Sequence, residues 1–432
     1  MPPLTSSVLV ADNPPATDLS SVPKKIRRLQ VQITCRHGDR SPITSLKDEA
    51  YWVKELIPSD TLEEMGKRVT LRSDDDDSQC THKANGRGPF GKLTSLGLQQ
   101  MVDLGTNLKK ELCHTDDNPQ TVVPKLDGNG NAVYPYVWTQ EKPLSPQTVR
   151  VISTSFDRAI QSAQGVIMGL FPGPPPLDKV ELNTRHEYNE LLLPDPQPRK
   201  TQEQADLEDA LAARPHLQAK EEEMLPLAVR VTKALHPLLA ADAHEAEFGA
   251  KQLRHVSAES IEIEPLAWNQ LGEITKCLGV RNMLDDVGVS QQDFRNTVQH
   301  AAWRWFESFR HPRLAYLSMN AICTQMVETC RNHTQEPPMT LFSAHDSTLI
   351  GLLCAFKLQQ PVAWPEYGSF LMMELLEVEE GTSKDLYVRF SLNGDVLRLM
   401  WLEGEPTDMI LLDQLIDKVQ NEGKATEGMT VQ

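Results

Sequence analysis

Two short segments far apart in the chain, Arg36-His37-Gly38-Asp39-Arg40 and His345-Asp346, carry side chains suited to phosphoryl chemistry. A guanidinium stays charged at any ordinary pH, so arginines on either side of a histidine must find an anion. A tetrahedral phosphate satisfies them, with several Arg forks on its oxygens while a neutral imidazole attacks phosphorus in line. His37 is then the candidate nucleophile, and Arg36 and Arg40 candidate phosphate ligands. The second segment adds an imidazole, His345, to donate to a phosphoryl oxygen, and a carboxyl group, Asp346. If protonated, that carboxyl group can give its proton to the departing alkoxide. Arg158 joins the set, because a cation in the first turn of a helix opposes the macrodipole unless an anion binds in front of both.

These residues need elements to bring them together. Leu29, Val31, Ile33 and Cys35 alternate with polar residues and predict a half-buried strand. Arg36 to Pro42 follow at its C-terminal end, where open α/β sheets place ligands. Thr148 to Thr154 reads as a second strand, followed by a helix with Ile160, Ala163, Ile167 and Leu170 on one face. The run Phe171-Pro172-Gly173-Pro174-Pro175-Pro176 stops that helix. Met339 to Ala344 reads as a third strand ending at His345-Asp346, with a helix after it through Leu349, Leu352, Leu353 and Phe356. If the three strands are parallel and adjacent, all six side chains share one crevice. Gly38 fits this, since a residue without Cβ beside the nucleophile admits a close approach of backbone or ligand.

A helix is expected from Leu93, with Thr94 as N-cap and Met101, Leu104, Leu108 and Leu112 along one face. Near the C-terminus, Asn393-Gly394 between Leu386–Ser391 and Val396–Leu399 predicts a hairpin, and Phe370–Val378 another strand. Between about Val180 and Thr334 helical stretches replace strands: Glu221 to Leu239, Glu264 to Leu278 and Gln291 to Phe309. The expected division is a flexible tail over 1–24, an α/β core over 25–180 and 335–432, and a helical cap over 181–334. In the last helix Val298, Ala302, Trp305, Phe306 and Phe309 share a face, either as core or as one wall of an apolar substrate pocket. Asp74 to Asp77 read as a solvated loop rather than a calcium or magnesium site.

The net charge of −17 over 432 residues argues against nucleic acid and anionic membrane as general partners. No stretch approaches the ~20 apolar residues of a membrane-spanning helix. The segment Met1–Val22 has no apolar run of a secretion signal, and Asp12 and Asp18 speak against a mitochondrial one. With seven cysteines at irregular spacing, reduced thiols in the cytoplasm are the expectation. No close CxxC pair occurs, so neither a metal nor another cofactor is expected. The expected partner is a small phosphomonoester, and the oligomeric state is left open.

Arg36-His37-Gly38-Asp39-Arg40-Ser41-Pro42 resembles the RHGxRxP motif of the histidine acid phosphatases, and Ala344-His345-Asp346 resembles their distal HD motif. Gly91-Lys92-Leu93-Thr94 with Gly97, Gln100 and Met101 is similar to the family's helix after the first loop. Ser153-Thr154 with Arg158 and Ser162-Ala163 is similar to the segment that carries its third phosphate-binding arginine. The resemblance implies a mixed central sheet with helices on both faces, a phosphoglycerate-mutase-like core, and an inserted helical cap. It also implies phosphomonoester hydrolysis through a phosphohistidine on His37, with Asp346 as proton donor and Arg36, Arg40, Arg158 and His345 holding phosphate. The stretches Leu93–Leu112 and Ala344–Phe356 look most similar to the lysophosphatidic acid phosphatase branch. Two alternatives stand beside this: a phosphotransferase or mutase of the wider superfamily, and a non-catalytic phosphate-binding protein.

Overall fold

The computed structural model describes residues 24–73, 87–114, 125–126, 131–139, 141–175, 178–194, 201–240, 264–401 and 406–431. The Asp74–Asp77 run and all but the last residue of the N-terminal tail lie outside them. The first half of the chain forms β1 (Lys25–Arg36), α1 (Glu49–Glu55), α2 (Ser59–Gly66), β2 (Val69–Arg72), α3 (Ser95–Leu112), β3 (Lys125–Leu126), β4 (Ala132–Tyr134), β5 (Val149–Ser153), α4 (Asp157–Leu170) and β6 (Val180–Asn183). Helices follow: α5 (His186–Leu192), α6 (Gln202–Ala212), α7 (Pro215–Leu235), α8 (Trp268–Val280), α9 (Gln291–Phe309) and α10 (Pro312–Arg331). The chain then returns to the sheet with β7 (Met339–Ala344), α11 (Asp346–Ala355), β8 (Leu358–Gln359), β9 (Phe370–Glu380), β10 (Ser383–Leu392), β11 (Asp395–Leu399), β12 (Met409–Leu411) and α12 (Leu412–Thr426).

One mixed sheet runs β2-β6-β5-β7-β1-β9-β10-β11-β8, with β12 beside β10 and the β3-β4 pair beside the start of β1. The half from β2 to β1 is parallel. From β1 onward neighbours are antiparallel. The Asn393-Gly394 turn closes β10 on β11 with both residues at positive φ (54° and 94°), the geometry for which this dipeptide is suited. β6 pairs with both β2 and β5, so the sheet continues through Asn183, past the expected core boundary at 180.

β1 is not the half-buried strand that its alternation predicts. From Gln30 to Arg36 every residue is buried, because helices cover both faces of the central strands. The polar alternates find partners inside: Gln32 Nε2 donates to the Met326 carbonyl of α10 at 2.8 Å, and Gln30 Nε2 to that of Pro337 at 3.1 Å. The pairing with β9 slips between Arg28 and Gln30. Leu29 therefore packs with the α10–α12 side, while Val31, Ile33 and Cys35 pack beneath α3 and α4.

The aromatic stripe of α9 belongs mostly to the core. Phe306 and Phe309 are buried with Met319, Phe342 and Leu353, and Trp305 stacks on Phe309. Phe309 also borders a cavity, one that includes none of the six candidate site residues. The other end of the stripe, Val298 and Ala302, meets Trp364 in a separate small cluster. Among the described residues, no helix is long and apolar enough to cross a membrane.

α3 and α4 cross with almost no room between backbones. A Cβ on Gly105 would stand 2.1 Å from the Val166 carbonyl oxygen, and one on Gly169 2.2 Å from that of Val102. Gly105→Ala is therefore expected to destabilise the fold by about 1–3 kcal/mol through overpacking. A fall in the urea midpoint, with no change in the slope of the transition, is the measurement that checks it.

Candidate active site

The neighbours β5, β7 and β1 end at one edge of the sheet. Their register sets Ser153 opposite Ser343 and Arg36 opposite Ala344. The chain beyond each strand end therefore enters the same crevice. His37 is fixed through its backbone: its N–H donates to the Ala344 carbonyl at 3.1 Å, and its carbonyl accepts from the Gly368 N–H at 3.1 Å. His345 caps α11 in an extended conformation, and Asp346 is the first residue of that helix. Arg158 is the second residue of α4. The His37 and His345 rings lie 5.5 Å apart edge to face, and Phe156 packs on His345 at 4.8 Å. The expected convergence of these loops is present in the fold, and all six candidate residues are there.

Gly38 needs its missing Cβ for backbone, not for ligand. A Cβ there would stand 2.3 Å from the Gly97 carbonyl oxygen, and one on Gly97 would stand 2.1 Å from that of Asp39. The loop after β1 and the first turn of α3 thus interlock through two glycines. Thr94 caps α3 as predicted, accepting from the Gly97 N–H at 3.1 Å, and its hydroxyl also donates to Asp39 Oδ2 at 2.6 Å. From α4, Ser162 Oγ accepts the Gly38 N–H at 3.1 Å.

The tautomer of His37 follows from its neighbour. Nδ1 lies 2.8 Å from the Gly38 carbonyl, which only accepts, so Nδ1 carries the proton. Burial first, then Arg158 and Arg36, hold its pKa well below the ordinary imidazole value. The ring is neutral with the lone pair on Nε2. His345 is held neutral by the same causes, burial and then Arg158, and its Nε2 shares a hydrogen bond with Thr154 Oγ1 at 3.0 Å.

Three guanidinium groups surround these rings, all buried. Arg36 Nη2 pairs with Asp346 Oδ2 at 3.0 Å, its Nη1 donates to the Pro365 carbonyl, and its plane lies 4.2 Å over the Tyr367 ring. Arg40 Nη1 donates to Glu273 Oε2 at 2.8 Å and to the Ser41 carbonyl at 2.9 Å. Arg158 stacks on Phe156 at 4.6 Å. Burial, followed by the charge of Arg40, lowers its pKa to about 9. The Nε atoms of Arg36 and Arg40 are buried without a hydrogen-bond partner among the described residues. Donors left over in a positive field are what an anion completes.

Asp346 is fully engaged. Oδ2 accepts from Trp364 Nε1 at 2.7 Å as well as from Arg36, and Oδ1 accepts from the Ser347 N–H at 2.9 Å. Burial pushes its pKa up, but Arg36, the Trp364 hydrogen bond and His345 outweigh it and hold the group below the usual carboxylate range. Its side chain is 23% exposed, so the crevice opens beside it.

Several contributors escape a reading of the sequence. Trp364 and Tyr367 come from the loop before β9, and nothing in the sequence around them marks a site. α8 supplies Glu273 to Arg40 and Cys277 to the Tyr367 hydroxyl at 3.4 Å, and its C-cap residue Arg281 reaches Asp39 at 2.8 Å. Spaced by four, these lie on one helix face. A cavity of about 450 Å³, bordered by Phe309, Tyr316, Cys323, Leu353 and Trp401, lies elsewhere and includes none of the six residues.

Residues 29–234 match the family model of the histidine phosphatase superfamily (branch 2). The chain is 25% identical over 378 residues to lysophosphatidic acid phosphatase type 6 of Mus musculus, covering 84% of this chain and 78% of that protein. It is 23% identical over 385 residues to counting factor 60 of Dictyostelium discoideum, covering 84% and 79%. Among solved structures, the phytase from Citrobacter braakii superposes with a TM-score of 0.57 at 15% identity, over 92% of this chain and 98% of that one. These structures share the mixed-sheet α/β fold.

Glu273→Gln leaves the buried Arg40 charge without its carboxylate and is expected to destabilise the protein by about 3 kcal/mol. Inorganic phosphate should restore more stability to this variant than it adds to the parent, because the anion takes over the compensation. Thermal unfolding with and without phosphate checks both effects.

Proposed function

We propose that this chain, which matches the histidine phosphatase superfamily (branch 2) over residues 29–234, is a phosphatase in which His37 takes the phosphoryl group of a small phosphomonoester and passes it to water. One observation carries this reading: a neutral imidazole with its proton on Nδ1 and its lone pair on Nε2, inside a ring of buried arginines. Arg36, Arg40, Arg158 and His345 hold the phosphoryl oxygens and neutralise charge as it spreads in the transition state. Nε2 forms the bond to phosphorus as the ester P–O bond breaks.

The leaving oxygen needs a proton, and Asp346 does not hold one in the free protein. The proton therefore arrives with the ester. A monoanionic ester gives its phosphoryl proton to Asp346, which relays it to the departing alkoxide. In the second step Asp346 accepts a proton from water as the new P–O bond forms and the N–P bond breaks, and then passes it to the product phosphate, which leaves as the monoanion. Asp346 is thus base and then acid in each of the two steps, and ends the turnover ionised as it began. We read residues 181–334 as a cap over the leaving-group side, supported by the contacts of α8 with Arg40 and Tyr367. Lysophosphatidic acid is a candidate substrate, because the mouse relative carries that name. The six described cysteines are all unpaired, which supports a cytoplasmic location.

His37→Ala is expected to abolish phosphate release. Asp346→Asn should slow alkyl esters by roughly 10²-fold or more and aryl phosphates far less, since a phenolate leaves without a proton. Equal slowing of both ester types counts against Asp346 as the proton relay.

The pH profile follows from the two shifts. His37, with its pKa lowered, stays competent well below the ordinary imidazole range, so the acid limb lies far to the acid side. On the alkaline side, kcat/KM for an alkyl ester should fall about tenfold per pH unit above the ester's own second pKa, near 6. Esters with a lower second pKa should shift that limb downward. A limb that ignores the ester assigns the proton to the enzyme instead.

A further inference from the structure

One buried cation beside the crevice has no part in the steps above. Lys276 lies on α8, between Glu273, which holds Arg40, and Arg281, which holds Asp39. Its side chain is 3% exposed. The ammonium stands 5.7 Å from the ring centre of Trp364 and 5.9 Å from that of Tyr367. Trp364 is the tryptophan that donates to Asp346, and Tyr367 is the tyrosine that packs on Arg36. Four residues earlier on α8, Gly272 presses against Trp364 so closely that a Cβ would stand 2.5 Å from the indole. Lys276 is thus held against the two rings that back Arg36 and Asp346.

Its only ion pair among the described residues is with Glu366, at 3.0 Å, and that side chain is 74% exposed. Nζ itself is otherwise without a hydrogen-bond partner. An ammonium has three protons to donate. A carboxylate on the surface is a weak and easily displaced partner for it. Burial lowers the pKa of Lys276 to about 8, with Glu366 acting against that fall, so the group remains charged at neutral and acid pH.

We propose that Lys276 is a specificity-determining residue that receives a second anionic group carried by the leaving alcohol, a carboxylate or a further phosphoryl group, in exchange for Glu366. The preferred substrates are then acidic phosphomonoesters in which the second charge lies one or two carbons from the ester oxygen. The inference deepens the phosphatase reading and rests on it. In the free protein Glu366 occupies the place of that anion. Substrate binding releases it to solvent, where its charge is already hydrated.

Two esters of the same skeleton test this: 2-phosphoglycerate and glycerol 2-phosphate, which differ by a carboxylate in place of a hydroxymethyl group. The parent protein should favour the acidic ester in kcat/KM. Lys276→Met should raise KM for the acidic ester at least tenfold, leave the neutral ester within about twofold, and change kcat for neither. Lys276→Arg should recover part of the loss. Glu366→Gln, a change at an exposed position that folding tolerates, should lower KM for the acidic ester only. Equal losses on both esters in Lys276→Met would make the lysine a structural clamp and overturn the proposal, as would an unchanged or raised KM in Glu366→Gln. Calorimetric binding of both esters to His37→Ala reads the lysine without turnover: tighter binding of the acidic ester supports the inference, and equal affinities overturn it. Absence of phosphate release from either ester by the parent protein would strike the phosphatase reading, and the calorimetry would still decide the role of Lys276.

Discussion

Three guanidinium groups buried in one crevice repel one another, and much of the surrounding structure serves to tolerate that repulsion. Each is taken from water at a cost of several kcal/mol before any partner is counted. Asp346 offsets Arg36 at 3.0 Å and Glu273 offsets Arg40 at 2.8 Å. Two histidines near them stay neutral, since another positive charge there would add to the repulsion. The compensation stops short of completion, with the Nε atoms of two arginines unused. A site balanced fully by its own carboxylates would have little affinity left for a phosphate. One left this far positive gains stability on binding an anion, which is the linkage that turns strain in the free protein into ligand affinity.

The same imbalance accounts for the protonation state of Asp346. Its carboxylate is both a counter-charge for Arg36 and, in our reading, the relay for the leaving group's proton. These demands conflict in the free protein, where Arg36 and Trp364 keep it ionised. They stop conflicting once the phosphoryl group takes a share of Arg36. The incoming negative charge then raises the proton affinity of Asp346 at the moment a proton is needed. Proton transfer is gated by occupancy rather than by bulk pH alone.

Much of this was legible in the residues. The helix cap at Thr94, the strand over Met339–Ala344, the helix over Gln291–Phe309 and the hairpin turn at Asn393-Gly394 follow local rules that tertiary contacts left alone. The six candidate residues could be grouped because each lies at or just past the end of a strand, and parallel neighbours bring strand ends to one edge. Local pattern failed where burial is decided by elements distant in sequence. Gln30, Gln32 and Thr34 look like the wet face of β1 until α10 covers them. The aromatic face of α9 was ambiguous for the same reason: one helix cannot reveal whether a sheet or a cavity lies opposite. Trp364 and Tyr367 had no pattern at all, because a loop residue acquires its partner only when the chain is folded.

α8 shows most clearly how the helical segment and the buried arginines depend on each other. Glu273 and Lys276 are charged, yet from Gln270 to Leu278 every residue is buried. Leu271, Ile274 and Leu278 pack with α7 and Trp52. The opposite face carries Glu273, Lys276, Cys277 and Arg281 onto Arg40, Glu366, Tyr367 and Asp39. Docking α8 and balancing the arginines are therefore one event: if the helix withdraws, Arg40 loses its carboxylate and Asp39 its guanidinium together. Such a helix cannot drift without disturbing the buried arginines. In our reading, variation in leaving-group preference is then confined to positions like Lys276 that share the face but hold none of the three arginines.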